Sequence, residues 1–99
     1  MIYSQSYDYP FKKDLNVVNC VARASATLAK HGLGHGIGTS INEGEQWGMA
    51  FGWSEDSTET AEISCNRTHK ISILSYAIYS ARDDKQIWNK WETLKDSSW

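Results

Sequence analysis

The chain has 99 residues, a net charge of −2 and 40% hydrophobic residues, which describes a single domain over residues 1–99 able to bury roughly two-thirds of its unfolded surface. With 10 Lys and Arg against 12 Asp and Glu, it lacks the basic excess of a dedicated nucleic-acid or anionic-membrane binder. No apolar run is long enough to span a bilayer and the N-terminus lacks the basic and apolar regions of a secretory leader, so a cytoplasmic setting is expected.

From the N-terminus, Met1, Tyr3, Tyr7 and Tyr9 alternate with Ser4, Ser6 and Asp8, the period of a strand that Pro10 ends, and an edge position is expected. Asp14 then suits the cap of a helix running to about His31. Its stripe is Val17, Val21, Ala24 and Leu28, and Gly32 terminates it. Cys20 falls inside that helix. Together with Cys65 it reads as a pair of buried free thiols in a reducing compartment; a single bridge between them is the alternative.

All seven glycines lie between Gly32 and Gly52. With the period of a strand, residues 33–41 put Leu33, His35, Ile37, Thr39 and Ile41 on one face and Gly34, Gly36, Gly38 and Ser40 on the other. Residues 45–53 divide likewise, Trp47, Met49, Phe51 and Trp53 against Gln46, Gly48, Ala50 and Gly52. A three-residue loop, Asn42-Glu43-Gly44, would pair Ile41 with Glu45, Thr39 with Trp47 and Ile37 with Met49, collecting the bulky residues on one face and leaving the other nearly bare. Helices are expected to cover the bulky face. The bare face is either a seat for a helix with Ala22, Ala26 and Ala29 at its contact, or a flat surface offered to a partner.

After the loop 54–58, Ala61, Ile63 and Cys65 alternate with Glu62 and Ser64 in a third strand whose polar side is expected beside the glycines. Asn66-Arg67-Thr68 reads as a turn. Thr68 can cap a helix with Ile71, Leu74, Ile78 and Ala81 on one stripe; a strand is the alternative, because Ile71 and Ile73 alternate with serines. Asp83 or Asp84 starts a last helix carrying Ile87, Trp91 and Leu94 inward, with Trp88 beside them and partly exposed. The tail Asp96–Trp99 is expected to fray.

The expected fold is therefore α+β, a three- to four-stranded antiparallel sheet in the order β-α-β-β-β-α-α with helices packed on one face. Its inner α-β-β-β-α order is similar in topology to double-stranded-RNA-binding domains. Those carry a lysine cluster at the final helix, where this chain reads Asn66-Arg67-Thr68-His69-Lys70, and no direct nucleic-acid partner is expected.

Four constellations bear on function. Glu43, Glu45, Glu55, Asp56, Glu59 and Glu62 occur without an intervening cation, a field that complements a basic surface. His31, His35, Cys65 and His69 are chemically able to hold zinc, but His31 ends a helix while His35 lies on a strand, so no metal and no cofactor is expected. Cys20 with His35 or His69 as base would resemble papain-like and cell-wall-peptidase cysteine enzymes if the helix opened at Asn19; Val17 and Val18 extend the helix past that point. The fourth is aromatic, with Trp88 outward and Trp91 inward.

These features favour a non-enzymatic binding protein that inhibits or modulates a macromolecular partner by occupying a basic protein surface, a type of product made by phages and mobile elements. Its surface would comprise Glu43, Glu45, Glu55, Asp56, Glu59, Glu62, Gly36, Gly48 and Trp88, with homodimerisation through the same face as a further option. The alternatives are a cysteine hydrolase built on Cys20 and a small-ligand binder using the glycine face. No membrane partner is expected.

Overall fold

The computed structural model describes residues 3–9, 16–79, 84–97 and 99, with 3–9 and 84 described by backbone alone. In chain order the elements are β1 (Tyr3–Tyr9), α1 (Val17–Lys30), β2 (His35–Ile41), β3 (Trp47–Trp53), β4 (Glu59–Asn66), β5 (Ile71–Ile78) and α2 (Asp84–Lys95). The fold is α+β: an antiparallel sheet in the spatial order β1-β5-β4-β3-β2, with α1 and α2 packed on one face. Among the described residues no helix is long and apolar enough to cross a membrane.

Helix α1 forms where the apolar period predicts it. Its cap is Asn16, whose side chain accepts a hydrogen bond from the Asn19 backbone N–H at 2.9 Å; the expected cap Asp14 lies outside the described residues, as do Met1, Pro10, Ala81 and Asp83. Val17, Val21, Ala24 and Leu28 are at most 3% exposed. At the other end Gly32 takes φ +80, its N–H reaches Ala29 O at 3.3 Å and that of Leu33 reaches Leu28 O at 2.8 Å. This is a Schellman termination, and the buried pair Leu28 and Leu33 supplies its apolar contact.

The helix chooses the opposite face of the hairpin from the one expected. Gly48, Ala50 and Gly52 are buried, and a Cβ on Gly48 would lie 2.8 Å from Val21 and 2.9 Å from Val17. The bare face is thus covered, and the absence of side chains lets α1 settle close to the backbone. The contact is made by Val17, Cys20, Val21, Ala24 and Leu28, while Ala22, Ala26 and Ala29 are exposed. On β4 the apolar side, Ala61, Ile63 and Cys65, stands opposite Gly52, Ala50 and Gly48, so Glu62 and Ser64 share a face with Phe51 and Met49 rather than with Gly48 and Gly52.

The hairpin register also departs from expectation. Ile41 pairs with Gly48, Ser40 with Met49 and Gly38 with Phe51, and an irregularity between His35 and Gly38 shifts the pairing again, leaving His35 opposite Trp53. The loop is one residue longer than a glycine-closed three-residue turn. Asn42 Oδ1 accepts from the N–H groups of Gln46 and Trp47 at 2.8 and 3.0 Å, and Glu45, not Gly44, takes the left-handed conformation at φ 54. That side-chain bridge moves the start of β3, and the parity of the strand follows.

Residues 71–78 form a strand, correcting the helix read from Ile71, Leu74, Ile78 and Ala81. Ser72, Leu74, Tyr76 and Ile78 are buried on the helical side and Ile71, Ile73, Ser75 and Ala77 are half-buried on the other. β-branched and aromatic residues packed between two neighbouring strands outweigh a short helical spacing. The turn before it is Arg67–Lys70, braced by the His69 N–H on Asn66 Oδ1 at 3.0 Å, so Thr68 caps no helix and the resemblance to double-stranded-RNA-binding topology ends there. Helix α2 buries Ile87, Trp91 and Leu94 as expected. The tail does not fray at its end: Trp99 is fully buried and its indole N–H donates to Ser72 Oγ at 3.4 Å.

Cys20 of α1 and Cys65 of β4 form a disulfide, their Cα atoms 6.3 Å apart, which corrects the expectation of two free thiols. Both lie at the centre of the helix-sheet contact at 0% exposure.

Candidate functional site

With both helices on the small-residue face, the other face of the sheet has no cover among the described residues. Trp47 and Met49 are half-buried there, Phe51 is 37% and Trp53 43% exposed. Glycines on the edge strand seat these rings: a Cβ on Gly38 would fall 2.3 Å from the tip of Phe51, and one on Gly36 would lie 3.3 Å from Trp53. Each ring therefore lies across a neighbouring backbone instead of standing into solvent.

Next to the rings runs the polar side of β4. Thr60 is opposite Trp53, Glu62 opposite Phe51 and Ser64 opposite Met49, with Ala77, Ser75 and Ile73 beyond them on β5. Thr60 donates to Gly52 O at 2.9 Å, and Ser64 donates to Glu62 Oε1 at 3.1 Å. The surface dips between β3 and β5 to make a hollow of about 260 Å³, walled by Met49, Phe51 and Trp53 with Glu62, Ser75 and Ala77 across from them. Trp53 is also the near wall of a smaller hollow of about 120 Å³ that ends at Tyr79, which is 61% exposed.

The residues named from sequence do not form one surface. Glu43 and Glu45 are exposed in the β2–β3 loop, beside the β4–β5 turn with its Arg67, His69 and Lys70; the Arg67 N–H to Gln46 O bond of 2.8 Å ties the two together. Glu55 and Asp56 lie at the opposite end of the sheet. Asp56 is a loop-builder: Ser54 and Thr58 hydroxyls donate to it at 2.8 Å each, and those bonds, Thr58 first, hold its carboxyl below the ordinary range.

Glu59 points to the helical layer. It accepts from the Tyr76 hydroxyl at 2.6 Å and pairs with Lys90 at 3.9 Å, and burial together with that bond pushes the Tyr76 phenol far above its ordinary value. Gly48 is beneath α1, so it has no place in an open surface. Trp88 is 45% exposed as expected, stacked edge-on to Trp91 with ring centres 5.5 Å apart, but α2 carries it on the far side of the sheet from Phe51 and Trp53. Only Glu62 and Gly36 belong to the open face.

The rival constellations lose their sulfur. In the disulfide Cys20 offers no thiolate to a base and Cys65 none to a metal, which removes the hydrolase reading and the mixed histidine-cysteine set; among the described residues no three His, Cys, Asp or Glu side chains converge on a cation. His31 caps the end of α1, its Nε2 2.9 Å from Ser97 Oγ. Burial, then the nearby Lys90 and Lys30, lower its pKa from the ordinary 6.5. The folded state thus disfavours protonation, so the stability His31 contributes is complete above pH 6.5 and is lost as pH falls through its lowered value. Denaturant midpoints at pH 7 and pH 5 should accordingly differ less in His31→Gln than in the wild type, and an equal or larger difference in the variant would refute this.

Sequence reasoning missed Phe51, Trp53 and Met49 as surface because it assigned every bulky residue of the hairpin to the core. A signal was present. Up to its last turn, where Leu28 joins, the inward stripe of α1 is valine, cysteine and alanine, small enough to fit a glycine-alanine sheet face and too small to cover four large side chains.

No family model matches the chain, and comparison with curated proteins and with solved structures yields no significant match.

Proposed function

We propose that this is a non-enzymatic binding domain that modulates a protein partner by laying its open sheet face on a basic surface. The carrying observation is that Phe51 and Trp53 stay more than a third exposed while both helices cover the opposite face. A contiguous aromatic patch rimmed by polar groups is the common mark of an interaction surface. The sign of the partner follows from charge. No strand of the sheet carries a lysine or an arginine, whereas Glu62 lies on the face and Glu55 at one end of it; at the other end Glu43 and Glu45 stand beside Arg67 and Lys70. Occupying such a site blocks whatever else the partner binds there, which is how inhibition would arise.

The small-ligand reading loses its platform, because the expected glycine face is divided: Gly48 and Gly52 are buried on the helical side, and Gly36 and Gly38 lie beneath the Trp53 and Phe51 rings. The disulfide supports an oxidising setting over the cytoplasm, where thiols are kept reduced.

Immobilised wild type and a Phe51→Ser, Trp53→Ser variant, both oxidised, should be exposed to an extract of the source organism. One stoichiometric protein captured by the wild type and lost by the variant is the expected result, with each truncated aromatic costing roughly 2 kcal/mol of binding. Capture that is equal for both proteins would dismiss the proposed surface.

A further inference from the structure

We infer that the hollow beside Phe51 and Trp53 is an anchor site for a single arginine side chain of the partner, with Glu62 as its counter-charge. The inference rests on the binding reading above and names its central contact.

Three observations point to a cationic, planar guest. First, Glu62 stands in mid-sheet, directly between Phe51 of β3 and Ser75 of β5, and has no ion-pair partner among the described residues; its side chain accepts a hydrogen bond from Ser64 Oγ at 3.1 Å. A carboxylate lined up with rings is poorly placed to lose its water to an apolar guest, since covering it without a counter-charge is costly. Second, Phe51 and Trp53 line the same hollow, and the negative faces of aromatic rings attract organic cations.

Third, the hollow holds about 260 Å³, below the roughly 300–1,000 Å³ of sites that take whole metabolites. It is the scale of one side chain inserted from a larger surface. A guanidinium suits it better than an ammonium. It is flat, weakly hydrated, stacks on rings and can fork onto a carboxylate, whereas the compact ammonium keeps a shell of water that this shallow site has few acceptors to replace.

The test uses the full oxidised chain labelled with ¹⁵N and two blocked amino acids as probes, N-acetyl-arginine methylamide and the neutral near-isostere N-acetyl-citrulline methylamide. The arginine probe should shift the Trp53 indole N–H and the Glu62 amide saturably, with citrulline about tenfold weaker or more, the size of one charge-assisted hydrogen bond. Glu62→Gln, a change at a half-exposed position that leaves the spectrum of the remaining fold in place, should weaken the arginine probe about tenfold as well. Equal binding of both probes, an unaffected Glu62→Gln protein, or no saturable shift with arginine would overturn the anchor.

The captured partner separates the two levels. If it is lost by the Phe51→Ser, Trp53→Ser variant but bound undiminished by Glu62→Gln, the face is the interface and the arginine anchor is wrong. If both variants keep it, both readings fall.

Discussion

Reducing the Cys20–Cys65 disulfide should lower the stability of this protein by about 4 kcal/mol, the chain-entropy value for a loop closed over 45 residues. The loop it closes contains most of α1, all of β2 and β3 and most of β4, so the unfolded chain recovers much freedom when the bond opens. Nothing in the folded state offsets that loss, because the helix-sheet contact around the two sulfurs is already dry. For a domain of this size the whole stability is of order 5–15 kcal/mol, and the reduced form should be near the limit of folding at 37 °C. Denaturant unfolding with and without reductant measures the difference. A change below about 1 kcal/mol would mean that the packing of α1 on β3 and β4 holds without the covalent tie.

Gly52→Ala should be comparably severe, costing roughly 3 kcal/mol or more. The added Cβ would come within 2.0 Å of the Leu33 carbonyl oxygen and 3.1 Å of Ile37. Backbone of this kind cannot step aside: the Leu33 N–H is tied to Leu28 O at 2.8 Å and its side chain is fully buried. Relief requires opening the junction between α1 and β2. Gly44→Ala is the matched control, since its Cβ would meet nothing closer than 3.6 Å and its φ is not positive; a change within about 0.5 kcal/mol is expected there. Thermal or denaturant midpoints of the two variants, compared with wild type, test the argument. Similar midpoints for both would show that the backbone crossing at Leu33 is not fixed.

These two sites bear on function through one contact. The disulfide and the close seat at Gly48 hold α1 on the small-residue face, with the chain leaving α1 at Leu33 passing close over Gly52, and that choice leaves Trp47, Met49, Phe51 and Trp53 uncovered. A protein that loses the seat should lose the ordered aromatic face with it.

Much of this was legible in the residues themselves. The stripe Val17, Val21, Ala24, Leu28 with its stop at Gly32, the alternation of Ala61, Ile63 and Cys65, and the stripe Ile87, Trp91, Leu94 are each decided within one element, because a repeat of 3.6 or 2 residues states which side is buried before any partner is known. The α+β class followed from those elements. The candidate site was legible only in fragments: Glu62 was named, and the alternation of the four bulky β3 residues was recognised but turned the wrong way.

What the tertiary structure alone decided are relations between elements. Period 2 divides β3 into a large and a small face without saying which one a helix will choose, and the choice fell to the fit of α1's small stripe against glycine and alanine. The hairpin parity turned on one Asn42 side chain capturing two N–H groups, which moved the register and with it every residue of β2 relative to β3. Strand β5 gained its form from neighbours on both sides, Trp99 its burial from Ser72 and the space beside it, and the two cysteines their bond from being brought within 6.3 Å across 45 residues of chain. Periodicity is a property of one segment and travels with the sequence. Burial, pairing and covalent closure are properties of two segments, and their free energies are settled only when both are in place.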